Sequence, residues 1–207
     1  MKTIAKFQYI TQNSALSHWL LAEKVCAGGC KWVQLRVKNE SFENYLTIAN
    51  ETKKVCDKFQ ATLIINDNVL IAKEIKAHGV HLGKNDMSPE EARKILGNEA
   101  IIGGTANTFQ NILHLVEQGV DYVGLGPFRF TKTKENLSEI LGLNGYKSII
   151  NQCNEAGIKI PIIAIGGIEL NDVNDLKNTG IHGIAVASCV TFAENISLKT
   201  KDFLKSV

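Results

Sequence analysis

The chain lacks the features that mark membrane proteins and nucleic-acid-binding proteins. No apolar run approaches the ~20 residues that cross a bilayer, and the N-terminal residues Met1 to Phe7 have no apolar core of a signal peptide. The 23 Lys and Arg residues nearly balance 21 Asp and Glu residues, which leaves a net charge of +2 and no basic run. We therefore expect a cytoplasmic protein that binds neither membrane nor nucleic acid and whose cationic sites are local.

Cysteine is too sparse and scattered for a disulfide framework or a zinc site. The chain has five cysteines, and only Cys26 and Cys30 are close in sequence. No second pair or suitably spaced histidines complete a metal site, so reduced and mostly buried thiols are expected. The 207 residues are enough to bury a core without such crosslinks, and we expect residues 1–207 to form one domain.

A repeated pattern of helix, glycine and short apolar run extends along the chain. Glycine is the usual residue just after a helix, and short apolar runs without alternation are typical of parallel strands buried on both faces. Strands are predicted to begin near Phe7, Trp32, Thr62, Gly79, Ile101, Tyr122, Ile162 and Gly183. Helices are predicted over residues 15–27, 41–59, 69–76, 88–96, 108–117, 145–156, 170–178 and 192–205. This order predicts a (β/α)₈ barrel. The alternative is an open doubly wound sheet, although no dinucleotide fingerprint follows the first strand.

Polar residues after the second strand are the first candidates for a binding site, because such barrels place their active sites on the loops that follow the strands. Alternation puts Gln34, Arg36 and Lys38 on one face. A guanidinium binds phosphate oxygens as a fork and an ammonium acts as a point charge. The alternative interpretation is a solvated strand edge.

Carboxylates follow the third and fourth strands. Asp67 comes directly after an apolar run, and Asp86 follows the strand that contains His81. Two carboxylates on adjacent strand ends can hold Mg²⁺, which takes its other ligands from water and substrate phosphates. The alternative is that each Asp caps a helix; it is stronger for Asp67, since Ser88 is a better cap than Asp86. His81 itself is better explained as a hydrogen-bonded core residue than as a base.

The later loops predict anion binding through the backbone. The connection after the sixth strand is longer than usual and carries Thr131, Thr133 and Lys134, which is typical of a binding loop. Gly166-Gly167 follows the seventh strand and Ala187-Ser188 follows the eighth, at the place where many barrels bind phosphate through N–H groups. A helix-capping turn is the alternative for the glycine pair. Together the loops predict a monophosphate site beside a cation-rich site that suits pyrophosphate.

These motifs, in this order, resemble the thiamine phosphate synthase family over nearly the whole chain. The matching segments are residues 34–38, 65–67, 79–86, 124–127 with 131–134, 165–168 and 186–188. The resemblance implies a (β/α)₈ transferase that joins an aminopyrimidine pyrophosphate to a thiazole phosphate, with Mg²⁺ as cofactor. A carboxylated thiazole would also release CO₂. The oligomeric state is left open, a homo-oligomer included.

The resemblance also implies a role for individual residues. Contacts to the pyrimidine pyrophosphate fall on Gln34, Leu35, Arg36, Val37, Lys38, Asn66, Thr105 and Lys134, of which Arg36, Lys38 and Lys134 would assist catalysis. The thiazole phosphate would be bound by Thr131, Thr133, Gly167, Ala187 and Ser188. Mg²⁺ would be bound by Asp67 and Asp86. Three departures from the family pattern stand out: Thr105 replaces Ser, Asn107 replaces His, and Phe128-Arg129-Phe130 replaces a run like Ile-Phe-Pro. Arg129 would meet either phosphate or water.

The residues favour a reaction that needs no protein nucleophile. No convincing Ser/His/Asp or Cys/His arrangement is present, and Cys189 is a weak candidate. A dissociative substitution, in which cations stabilise a departing pyrophosphate, fits this set. The rivals are a thiazole tautomerase, an isomerase or Schiff-base aldolase, and a non-catalytic sensor of thiamine precursors. The first would not need the metal and pyrophosphate residues, and the second would need a strand-borne lysine or an acid/base pair; no inward-facing strand lysine is found.

Overall fold

The structure, a computed structural model that describes residues 2–130 and 139–207, is a closed barrel of eight parallel strands. Each strand pairs with its neighbour in sequence, and the eighth closes on the first. The strands are β1 (Phe7–Ile10), β2 (Trp32–Leu35), β3 (Thr62–Asn66), β4 (Gly79–Leu82), β5 (Ile101–Ala106), β6 (Tyr122–Leu125), β7 (Ile162–Ile165) and β8 (Gly183–Val186). The predicted barrel is confirmed, and the open sheet is excluded.

Helices connect the strands on the outside of the barrel. They are α1 (His18–Ala27), α2 (Phe42–Lys58), α3 (Val69–Glu74), α4 (Pro89–Leu96), α5 (Phe109–Glu117), α6 (Gly142–Glu155), α7 (Val173–Lys177), α8 (Ser188–Thr191) and α9 (Ile196–Ser206), with a 3₁₀ turn (Leu170–Asp172) before α7. The predicted helix over residues 192–205 is wrong at its start. The helix α8 is short and ends at Thr191. A new helix, α9, begins after Asn195, whose side chain accepts a hydrogen bond from the Leu198 N–H at 3.0 Å.

Side-chain caps start several of these helices. Ser88 and Glu91 form the predicted reciprocal capping box of α4, and Thr108 caps α5 as predicted. The alternative role of Asp67 as the cap of α3 is wrong, because Asn68 accepts the hydrogen bond from the Ile71 N–H at 3.0 Å. The carboxylate of Asp67 is therefore left for the barrel mouth.

Alternation along the strands divides the core in two. One layer lies between sheet and helices and includes Val33 and Leu35, whereas the barrel interior contains Trp32, Ile64 and Tyr122. Successive side chains of a strand point to opposite faces. Gln34, two residues after Trp32, therefore lies in the barrel interior, where it is buried.

The five cysteines are free thiols, as predicted, and four of them are buried. Burial raises the pKa of Cys189 to about 11. This thiol is therefore protonated near neutral pH, which argues against Cys189 as a nucleophile. Among the described residues, no helix combines the length and the apolar character that a membrane span requires.

Candidate active site

Lys38 and Asp67 form an ion pair at the mouth of the barrel. Lys38 lies just beyond β2, and its Nζ donates to Oδ2 of Asp67 at 2.5 Å. Asp67 follows β3 with a φ of +64°, a left-handed conformation that Asp tolerates better than most residues. Its N–H donates to the His81 carbonyl at 2.9 Å. The ends of β2, β3 and β4 are thereby joined at one point.

Asp86 completes this cluster with a second carboxylate. Burial and the hydrogen bond with Asp67 raise the pKa of Asp86, while its Oδ2 accepts from the Gly83 N–H at 2.6 Å. Burial acts to raise the pKa of Asp67 as well, but its hydrogen bonds with Lys38 and Asp86 lower it overall. Two carboxyl groups within hydrogen-bonding reach of each other are more stable with a cation or a proton between them.

The two carboxylates fit Mg²⁺ by their chemistry. Hard oxygen ligands suit this ion, and it commonly binds one or two carboxylates while water and substrate phosphates complete its shell. Within residues 2–130 and 139–207, no group of three or more His, Cys, Asp or Glu side chains is arranged to hold a metal. An ion at Asp67 and Asp86 would take further ligands from water and substrate phosphates.

At the end of β2, the backbone of Arg36 is fixed by Thr11, and the side chains of its two neighbours lie in the core. The Arg36 N–H donates to Oγ1 of Thr11 at 3.1 Å, and that hydroxyl lies 2.8 Å from Nδ1 of His18. The side chains of Leu35 and Val37 are buried between sheet and helices. These two residues can therefore meet a ligand only through their backbone.

A chain of polar side chains crosses the barrel interior below the mouth. Gln34 donates to Gln8 at 3.3 Å, and Gln8 donates to the hydroxyl of Tyr122 at 3.5 Å. His81 lies between that hydroxyl and the hydroxyl of Thr105, at 3.0 Å from each. His81 is thus the buried, hydrogen-bonded residue that was predicted. Two predicted contact residues, Gln34 and Thr105, lie at the two ends of this hydrogen-bonded series of side chains.

Sequence reasoning missed Gln8 and Tyr122 in this network. Both occupy inward strand positions, on the same faces as Ile10 and Gly124. A polar side chain at an inward position of a barrel strand was the available signal, because such a group must find a partner once it is buried. Burial raises the pKa of Tyr122, so its hydroxyl stays protonated and can donate.

The backbone anion site predicted from the sequence falls on the loops that follow β7 and β8, here called loops 7 and 8. Gly166 and Gly167 have φ values of +98° and +67°, the left-handed region that favours glycine. Oγ of Ser188 donates to Oε1 of Gln12 at 3.0 Å, which joins loop 8 to the end of β1. Gln12 was also missed; among the described residues its buried Nε2 has no hydrogen-bond partner.

Comparison with known proteins identifies the family. The family model described as thiamine monophosphate synthase matches residues 8–190. A thiamine-phosphate synthase of Flavobacterium psychrophilum is 51% identical over 191 residues, which are 92% of this chain and 93% of the relative. One from Bacteroides fragilis is 48% identical over 198 residues, 95% of this chain and 97% of the relative. The chain belongs to the thiamine monophosphate synthase family.

A solved structure supports the same conclusion. A thiamine phosphate pyrophosphorylase from Pyrococcus furiosus superposes with a TM-score of 0.85 at 29% identity, over 97% of this chain and 94% of that one. The activity of the family is a transfer reaction on small-molecule substrates, classified as EC 2.5.1.3. The resemblance found from the motifs alone is confirmed.

One departure from the family pattern has a structural role. Asn107, which stands where the family pattern predicts His, is buried. Its Nδ2 donates to the carbonyls of Gly126 at 3.0 Å and Glu139 at 2.9 Å. Asn107 thereby holds together two points of the chain on either side of residues 131–138. Three predicted substrate contacts, Thr131, Thr133 and Lys134, lie outside the described residues.

The predicted site residues thus form two groups at one end of the barrel. The first is built on β2 to β5 and includes Lys38, Asp67 and Asp86. The second is built on β7 and β8 and includes Gly167, Ala187 and Ser188. Asn66 belongs to the first group; its side chain is buried and its carbonyl accepts from the hydroxyl of Tyr45 at 3.1 Å.

Proposed function

We propose that this enzyme joins 4-amino-2-methyl-5-(diphosphooxymethyl)pyrimidine to a thiazole phosphate, or to its carboxylated form, and releases pyrophosphate. The observation that carries the proposal is the cluster of Lys38, Asp67 and Asp86. It combines a cation with two carboxylates that suit Mg²⁺, which is the donor set a pyrophosphate leaving group needs. The family assignment supports the same reaction class.

The pyrophosphate end of the first substrate would bind at β2 to β4. Arg36 offers a guanidinium fork and Lys38 a point charge, and both follow the same strand. Asp67 and Asp86 would hold Mg²⁺, which when bound neutralises charge on the phosphate oxygens. Lys134, outside the described residues, is proposed from the sequence as a further cation. The pyrimidine ring would lie toward Gln34, Asn66 and Thr105.

The thiazole phosphate would bind at the opposite side of the mouth. Gly167, Ala187 and Ser188 offer backbone N–H groups, which suit a monophosphate without adding charge. The Ser188 hydroxyl would exchange its hydrogen bond to Gln12 for one to the phosphate. Thr131 and Thr133 are proposed from the sequence for the same phosphate. This arrangement would bring the thiazole nitrogen toward the pyrimidine methylene group between the two sites.

The reaction would be a dissociative substitution, in which pyrophosphate leaves before the thiazole nitrogen attacks. The bond between the methylene carbon and the pyrophosphate oxygen breaks, and its electron pair leaves with pyrophosphate. The thiazole nitrogen then supplies the pair for the new C–N bond. Arg36, Lys38 and Lys134 would stabilise the charge that develops on the leaving group, and preorganised charge of this kind is usually the largest catalytic contribution. No proton transfer by His81 or Cys189 is required.

Pyrophosphate release tests the proposal. The purified chain should release one pyrophosphate for each thiamine phosphate formed when both substrates and Mg²⁺ are present. Either substrate alone should give no release above background. The carboxylated thiazole phosphate should in addition yield CO₂, measured in the same reaction. Folded protein that releases no pyrophosphate with both substrates would contradict the proposal.

A further inference from the structure

Arg129 connects the loop after β6 to the loop after β7 through its guanidinium and its backbone N–H. Its guanidinium forms a fork with the Asp172 carboxylate, with Nη1–Oδ2 and Nη2–Oδ1 distances of 2.7 and 2.8 Å. Nη1 also donates to the carbonyl of Gly167 at 2.8 Å, and the backbone N–H of Arg129 donates to the carbonyl of Gly166 at 3.0 Å. Besides its exposure to water, Arg129 therefore has a partner that was not predicted for it, the loop after β7.

These contacts set the direction of two peptide units. A peptide is planar and trans, so its carbonyl and its N–H point in opposite directions. Because Arg129 binds the carbonyls of Gly166 and Gly167, the N–H groups of Gly167 and Ile168 point away from Arg129. Among the described residues, neither N–H donates a hydrogen bond. The two donors are thus oriented and left available.

The fit between the loops is close. A Cβ atom on Gly167 would lie 2.5 Å from Cγ of Arg129, and the φ of +67° also disfavours any other residue there. Asp172, the partner of the guanidinium, also accepts from the Glu169 N–H at 2.8 Å through Oδ2. The carboxylate is therefore held by the turn that follows the glycine pair, and Arg129 joins this turn to the carbonyl of Gly167.

We propose that Arg129 is a positioning residue that orients the N–H groups of Gly167 and Ile168 toward the phosphate of the thiazole substrate. The proposal rests on the proposed function for the identity of that substrate. Arg129 itself does not touch the phosphate in this arrangement. Asp172 shares this positioning role, since its carboxylate holds the guanidinium of Arg129 in place.

The ion pair of Arg129 with Asp172 is partly screened by solvent. The side chains of Arg129 and Asp172 are 45% and 16% exposed, so the pair contributes less to the free energy of unfolding than a buried pair would lose on removal of one partner. A displacement of about 1 Å at a binding group, by contrast, can lower a rate on the order of 10²-fold. Loss of Arg129 should therefore affect the affinity for one substrate more than the melting temperature.

The first experiment compares Arg129→Met, Arg129→Lys and the wild type in steady-state kinetics. Arg129→Met keeps an unbranched apolar side chain but removes the charge and the three hydrogen bonds of the guanidinium. We expect its KM for the thiazole phosphate to rise about tenfold or more, with the KM for the pyrimidine pyrophosphate changed less than about twofold. Arg129→Lys, which retains the charge on a single nitrogen but not the fork, should lie between Arg129→Met and the wild type.

The second experiment does not depend on turnover. Inorganic phosphate is titrated into protein labelled with ¹⁵N-glycine, whose 17 glycines give a spectrum simple enough to assign Gly167. Phosphate should shift the Gly167 resonance in the wild type, and Arg129→Met should need at least about tenfold more phosphate for the same shift. This result would stand even if the chain failed to make thiamine phosphate, so it separates the present inference from the proposed function.

Arg93→Met is the matched control. Arg93 also pairs with an aspartate, Asp121, at 2.8 Å, but this pair lies at the other end of the barrel, before β6. The substitution should lower the melting temperature and leave the ratio of the two KM values unchanged. Three outcomes would overturn the role of Arg129: an unchanged thiazole KM in Arg129→Met, equal rises in both KM values, or a Gly167 resonance that does not respond to phosphate in the wild type.

Discussion

Asp67 combines two roles in one residue. Its N–H ties β3 to β4 through the His81 carbonyl, and its carboxylate accepts from Lys38 in the candidate site. The left-handed φ of +64° is compatible with both contacts because it turns the chain sharply after the strand. Removing the side chain therefore tests the site while the backbone contact can remain.

Asp67→Ala should raise the Mg²⁺ concentration needed for half-maximal activity by at least about tenfold, since even groups outside the ligand shell affect metal affinity on the order of 10- to 100-fold. The measurement is a Mg²⁺ titration of initial rates. Asp57→Ala, which removes an ion pair with Lys53 on α2, is the control and should behave like the wild type. An unchanged Mg²⁺ dependence in Asp67→Ala would remove Asp67 from the metal site.

Asn107 makes a different kind of contribution, because it satisfies two carbonyls far apart in sequence. Asn107→Ala would leave the carbonyls of Gly126 and Glu139 without this donor. We expect the free energy of unfolding to fall by about 1 to 3 kcal/mol, measured by urea denaturation. Asn50→Ala removes a hydrogen bond on the exposed face of α2 and should cost less than about 0.5 kcal/mol. Equal losses in the two variants would contradict this role.

At the scale of elements, the C-terminal helices show how a single cap divides a helical stretch. Asn195→Ala should lower the free energy of unfolding by about 1 kcal/mol, because the Leu198 N–H loses its acceptor. Asn195→Asp keeps an acceptor at the same place and should retain most of the stability. Thermal unfolding of the three proteins makes the comparison. Identical stabilities of the Ala variant and the wild type would mean that the cap does not set the start of α9.

The strands were predictable because each is a short apolar run that follows a turn residue. All eight predicted starts coincide with the observed ones, since strands buried on both faces are predominantly apolar. Helix boundaries were less predictable. Asp67 and Asn68 are both residue types that suit a helix N-cap. The path of the backbone after β3 decides that Asn68 caps α3.

At the scale of the whole molecule, Asp121 links distant parts of the chain at the end of the barrel opposite the site. Its Oδ2 accepts from Lys2 at 3.0 Å, from Arg93 at 2.8 Å and from the Ile102 N–H at 2.8 Å. The N-terminal segment, α4 and β5 therefore meet at one carboxylate.

The pH dependence of stability should reveal this link. Burial acts to raise the pKa of Asp121, but the hydrogen bonds from Arg93, Ile102 and Lys2 lower it overall. A lowered pKa in the folded state contributes stability that is complete above the ordinary pKa of Asp, ~3.9, and is lost as the pH falls through the folded value. Asp121→Asn should therefore be less stable than the wild type at pH 7, and the difference should shrink near pH 3. Urea denaturation at both pH values measures it, and a constant difference would contradict the assignment.

The sequence by itself determined the barrel, its strand starts and the family, because these depend on local patterns of apolar residues, glycine and short motifs. It also predicted that Lys38, Asp67 and Asp86 belong near each other, since they follow adjacent strands. Only the tertiary structure decided the partners of Arg129, Gln12, Gln8 and Tyr122. Each of these side chains meets a residue far away in sequence, and such contacts exist only once the barrel has closed and brought the loops and inward faces together.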